Sequence, residues 1–84
     1  MEKDKPGTLP RPLWLIADEI RTNWTKPYFG AVPYLEALRE LEHVTDKYGL
    51  DDADDIVRYF LSNASTWRGP VARRIKAELN AMVG

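Results

Sequence analysis

Three prolines, Pro12, Pro33 and Pro70, each open a stretch in which apolar side chains recur every three or four positions. That pairing of punctuation with period limits the fold more than any other feature of the chain. A proline in the first turn of a helix gives up an N–H that has no intrahelical acceptor there, and its fixed φ already suits the helix. On a wheel that places residues about 100° apart, residues 11–24 collect Leu13, Ile16, Ala17, Ile20 and Trp24 in one stripe. Asp18, Glu19 and Thr22 face away, and Leu15 is stranded among the polar positions. After a break at Thr25–Gly30, where Pro27 restricts Lys26 to extended geometry, a second helix is predicted over 31–48. Its face is Tyr34, Ala37, Leu38, Leu41, Thr45 and Tyr48, opposite Glu36, Arg39, Glu40 and His43.

Gly49 stands where a left-handed residue would end that helix, with Leu50 folding back toward Val44. A third helix, 52–64, is capped by Asp51 or Asp52 and buries Ala53, Ile56, Val57, Phe60, Leu61 and Ala64, with Asp54 and Arg58 paired on its outer side. A fourth, 70–82, aligns Val71, Ala72, Ile75, Leu79 and Met82. No run alternates with period two, so no sheet is expected. The fold class is therefore all-α: a compact four-helix domain over 10–84, preceded by a flexible polar tail, 1–9.

An 84-residue chain has room for a single core and needs nearly every apolar side chain it carries. Without cysteine it has neither disulfides nor thiolate metal ligands, which fits a reducing cytoplasm. No segment approaches the roughly 18 apolar residues of a membrane span, and the charged start Met1–Pro6 lacks the apolar run of a secretory signal, so a cytoplasmic protein is expected. Net charge is −1, but it is unevenly placed. Glu36, Glu40, Glu42, Asp46, Asp51, Asp52, Asp54 and Asp55 outnumber Arg39 and Lys47, whereas beyond residue 57 Arg58, Arg68, Arg73, Arg74 and Lys76 face Glu78 alone.

The signals for chemistry are weak. The only imidazole, His43, falls on a polar helix face with no hydroxyl placed beside it, and the glycines are too scattered for a phosphate-cradling loop. Asp51–Asp55 lacks the glycine and the closing glutamate of a calcium loop and reads as a helix start. No catalytic residue, metal site or cofactor is therefore expected. Aromatic residues crowd the connections: Trp24, Tyr28 and Phe29 in one, Trp67 beside Arg68 in another. They serve either to plug the ends of the core or, since Trp, Tyr and Arg concentrate at binding hot spots, to dock a partner.

The strings Ile16–Ile20, Lys26–Leu35, Tyr59–Gly69 and Ala72–Leu79 resemble small proteins encoded by phages and prophages of actinobacteria, and the likeness covers most of residues 15–80. What the resemblance implies is context rather than chemistry: a phage accessory protein acting in a host bacterial cytoplasm. The leading expectation is a non-enzymatic protein–protein interaction module that engages a host or phage protein through Leu15, Tyr28, Phe29, Trp67, Arg68, Arg73 and Arg74. Self-association through the opposite charged patches is a variant of it. The alternative is a helix-turn-helix-like reader of nucleic acid through the basic fourth helix. Against it stand the long turn, the apolar Val71 and Ala72 at the helix start, and the absence of net positive charge.

Overall fold

A computed structural model describes residues 10–83, and the expected tail, 1–9, lies outside them. In chain order the elements are α1 (Leu13–Asn23), a 3₁₀ turn (Phe29–Ala31), α2 (Val32–Leu38), β1 (Lys47–Tyr48), β2 (Asp51–Asp52), α3 (Ala53–Ser62) and α4 (Pro70–Met82). Each helix packs on the next, and α4 returns to α1. The result is a small, mostly helical domain. Three of the four apolar stripes fall on the core as their period requires. Leu13, Ile16, Ala17 and Ile20 are buried from α1, Ala53, Ile56, Val57 and Phe60 from α3, and Ala72, Ile75 and Leu79 from α4.

The second helix is the departure. It ends at Leu38 rather than 48, and its buried residues are Leu35, Ala37 and Leu38, with Leu41 beyond its end. Glu40 and Leu41 donate their backbone N–H groups three residues back, to Ala37 and Leu38, so the last turn tightens and the chain leaves the helix. Carbonyls of the segment that the longer helix would have covered serve two other helices instead. Leu41 and Glu42 accept from the N–H groups of Trp14 and Leu13, and Val44 and Asp46 accept from those of Asp54 and Ala53, all at 2.9–3.1 Å. The first N–H groups of a helix have no partner within it, and neither α1 nor α3 carries a side-chain cap. Residues 41–46 therefore act as a backbone cap for both.

Several sequence expectations are corrected here. Asp52 stands at the N-cap of α3, but its carboxylate accepts from Lys47 Nζ at 2.7 Å instead of capping. Gly49 ends no helix. It carries the positive φ (64°) of a two-residue hairpin between β1 and β2, in which Lys47 pairs with Asp52 and Tyr48 with Asp51, so a short antiparallel ladder exists where no sheet was expected. Leu50, in the same turn, is 100% exposed rather than folded back on Val44. Thr45 and Tyr48, assigned to a buried helical face, lie exposed. The expected outer pair of α3 is present, with Arg58 Nη2 3.4 Å from Asp54 Oδ2.

Candidate functional site

The aromatic residues divide into two groups with opposite surroundings. Trp24 follows the last turn of α1, its N–H donating to the carbonyl of Ile20, and Trp67 precedes α4. Their rings stack at 5.6 Å between centroids with an interplanar angle of 11°, and both meet Phe60 edge-on at 6.3 and 6.4 Å. The Trp67 indole N–H donates to Asn23 Oδ1 at 2.8 Å. Lys76 Nζ donates to the Trp67 carbonyl at 2.7 Å and lies 5.9 Å from its ring. Burial there, with Arg68 nearby, lowers the Lys76 ammonium below its usual range. Trp67 is 2% exposed. The expectation that it presents a face to a partner is corrected: it closes the core, because an indole whose single donor is satisfied gains most by burial.

Tyr28 and Phe29 behave in the contrary way. Their rings pack together at 4.8 Å, and Phe29 is 79% exposed. Gly30 permits this arrangement, since a Cβ there would stand 2.6 Å from Tyr28 Cε2 and 2.9 Å from Asn63 Oδ1. The pair continues into a longer strip. The Asn63 amide donates to the carbonyl of Tyr59, one turn earlier, and the Tyr59 ring lies 5.5 Å from that of Tyr34 on α2. Tyr34 and Tyr59 then share a cleft of about 290 Å³ with Tyr48 and Asp51 from the hairpin. An aromatic face thus runs from Phe29 along the seam of α2 and α3 to the hairpin.

Among the other residues singled out in the sequence, Leu15 is 37% exposed on α1, beside a still more exposed Trp14. Arg68 and Arg73 are exposed and form no ion pair with a described residue. Arg74 is engaged: it pairs with Glu19, which also meets Arg11 at 2.9 Å, and Arg11 reaches Glu78 at 2.7 Å. These contacts hold the Glu19 carboxyl below the usual carboxylate range, chiefly through Arg74, and raise the Arg11 guanidinium further still, chiefly through Glu78. Beside this network lies a wider, more open depression of about 890 Å³, lined among others by Leu13, His43, Arg74, Glu78 and Met82.

Tyr34, Tyr48 and Tyr59 were missed by sequence reasoning. Tyr34 and Tyr48 were hidden by the overlong second helix, which placed both on a buried face. Tyr59 was detectable, since it stands off the apolar stripe of α3 as Leu15 does on α1. Among the described residues no group of three or more His, Cys, Asp or Glu side chains could hold a metal ion, and no helix is long and apolar enough to cross a membrane. Comparison with protein-family models, curated proteins and solved structures gives no match.

Proposed function

We propose that the protein is a non-enzymatic interaction module that docks on another protein through the aromatic strip beginning at Phe29. The observation that carries this reading is the position of Phe29, a large apolar ring held on a 3₁₀ turn and 79% exposed. Tyr28, Tyr59, Tyr34 and Tyr48 extend it into one surface. Tyrosine side chains offer large contact area for the ordering of few torsions, together with a hydroxyl that tolerates water when no partner is bound. The likeness of residues 15–80 to actinobacterial phage proteins supports a phage accessory role in a host cytoplasm, with a host or phage protein as the partner.

Affinity capture from a bacterial lysate, comparing wild type with Phe29→Ser and with Tyr28→Ser, tests the reading. A specific protein retained by wild type and lost by both variants, with helical circular dichroism unchanged, is the expected result. Retention equal in all three would sink the proposal. The nucleic-acid alternative draws on Arg68 and Arg73, which no described carboxylate pairs. Its signature is binding that weakens steeply with salt and fails in Arg68→Ala with Arg73→Ala.

A further inference from the structure

The cleft at the hairpin end of the strip has a chemistry the rest of the strip lacks. Three tyrosines, Tyr34, Tyr48 and Tyr59, line it over a floor that includes Ala37 and Ile56, and Asp51 stands at its edge. Tyr34 and Tyr59 touch each other, whereas Tyr48 enters from the hairpin without a ring contact to either among the described residues. The charge around the cleft is unbalanced. Lys47, the nearest cation on the hairpin, is held by Asp52 at 2.7 Å, and Arg58 meets Asp54 at 3.4 Å. Asp51 forms no ion pair with any described residue, and neither does Asp55, one turn before Tyr59 on the same face of α3. Aromatic faces attract cations through their quadrupole, and a free carboxylate beside them supplies both charge and hydrogen-bond acceptors.

We propose that this cleft receives an arginine side chain from the protein partner, its guanidinium lying against the tyrosine rings and its N–H groups donating to the Asp51 carboxylate. The assignment rests on the docking reading above and names the chemistry of the partner's anchor. A planar guanidinium stacks on an aromatic ring and meets a carboxylate through two parallel hydrogen bonds, which a compact ammonium does not do. The acidic surround of Asp51 and Asp55 complements such a partner and disfavours an acidic one.

The test uses the full chain with labelled tyrosine rings, titrated with acetyl-Gly-Arg-Gly-amide and followed by nuclear magnetic resonance. Saturable shifts of the Tyr34, Tyr48 and Tyr59 ring signals in the millimolar range are expected. Asp51→Asn should weaken binding about tenfold and Tyr48→Leu about fivefold, both with the helical spectrum retained. The citrulline counterpart, equal in shape but neutral, should give no saturable shift. Equal binding of the citrulline peptide, indifference to Asp51→Asn, or no ring shift at all would overturn the assignment. Choline binding as tightly as the arginine peptide would overturn the protein source in favour of a free small cation. Ring shifts that appear on raising the protein concentration alone, and vanish in Arg73→Ala, would give the cleft to a second copy of the chain. If the arginine peptide fails while capture still depends on Phe29, only the arginine assignment is lost. If the peptide binds but no Phe29-dependent partner exists, the docking reading fails and the cleft is a cation site without a protein source.

Discussion

Trp24, Trp67 and Phe60 at one end of the molecule, and Tyr28, Phe29, Tyr34, Tyr48 and Tyr59 along the α2–α3 seam, are two aromatic clusters with opposite fates. In the first the rings are buried, and the Trp67 indole N–H finds Asn23. In the second Tyr28 pairs with Phe29 and Tyr34 with Tyr59, Tyr48 stands without a ring contact among the described residues, and Tyr28, Phe29, Tyr48 and Tyr59 are exposed. Aromatic content in loops therefore decides neither core nor surface. What decides is whether the backbone aims the ring at a space that apolar neighbours can close and whether any polar atom on it has a partner once there.

The contrast yields a ranked set of expectations. The largest effect belongs to Trp67→Ala, which removes a ring from the buried trio and should cost about 3–5 kcal/mol of stability, a large share of what a domain this small possesses. A thermal melt that loses its cooperative transition, or has it displaced far downward, is the expected outcome. A melt like that of wild type would show that Trp67 does not close the core. Asn23→Ala should come next, at about 1–3 kcal/mol, because it leaves a buried indole N–H without an acceptor. Urea midpoints for Asn23→Ala and for the double variant with Trp67→Phe separate the hydrogen bond from the packing, since the double variant has no indole donor to strand.

Acid behaviour sharpens the comparison elsewhere in the molecule. Asp46 accepts from the backbone N–H groups of His43 and Glu42, and these bonds, His43 first, hold its carboxyl below the usual carboxylate range. A depressed folded pKa adds stability that is fully present above the unfolded value, about 4. That stability is lost as pH falls through the lower folded value. Glu19 contributes with the same sign. Asp46→Asn keeps an acceptor but cannot titrate, so its stability should fall less steeply than wild type below about pH 4, whereas Trp67→Ala or Asn23→Ala should leave that dependence unchanged. Urea denaturation repeated across the acid range reads the difference, and identical slopes would refute the role of Asp46.

The smallest effects on stability should come from the exposed cluster. Phe29→Ser is expected to change stability by no more than about 0.5 kcal/mol. Gly30→Ala places a methyl where the Tyr28 ring lies, so it should displace that ring and alter the ring-current shifts of Phe29 while the buried trio keeps its own. A destabilisation by Phe29→Ser as large as that of Trp67→Ala would erase the distinction between the two clusters.

Period and punctuation in the sequence were enough to place α1, α3 and α4 to within a residue or two of their ends and to identify their buried faces. An apolar stripe at helical spacing has one way to leave water, and Pro12 and Pro70 fix where two of the helices begin. The exposed position of Leu15 was also legible, because it stood off its own stripe, whereas the pattern leaves Phe29, in a loop, open between core and surface. Trp67 was not legible either, since a loop residue has no wheel position from which to read burial.

The second helix marks the boundary between what the chain's local pattern determined and what tertiary structure decided. Leu41, Thr45 and Tyr48 continue the spacing of Ala37 and Leu38, and nothing local to residues 39–48 forbids a longer helix. The helix stops because Leu13, Trp14, Ala53 and Asp54 present N–H groups with no partner in their own helices. The carbonyls of Leu41, Glu42, Val44 and Asp46 satisfy them only if that segment leaves helical geometry. Local sequence carries the propensity of a segment but not the unmet hydrogen bonds of distant ones. That demand turned the expected last turns of a helix into a double cap and a hairpin, and with it brought Tyr48 and Asp51 to the tyrosines of α2 and α3.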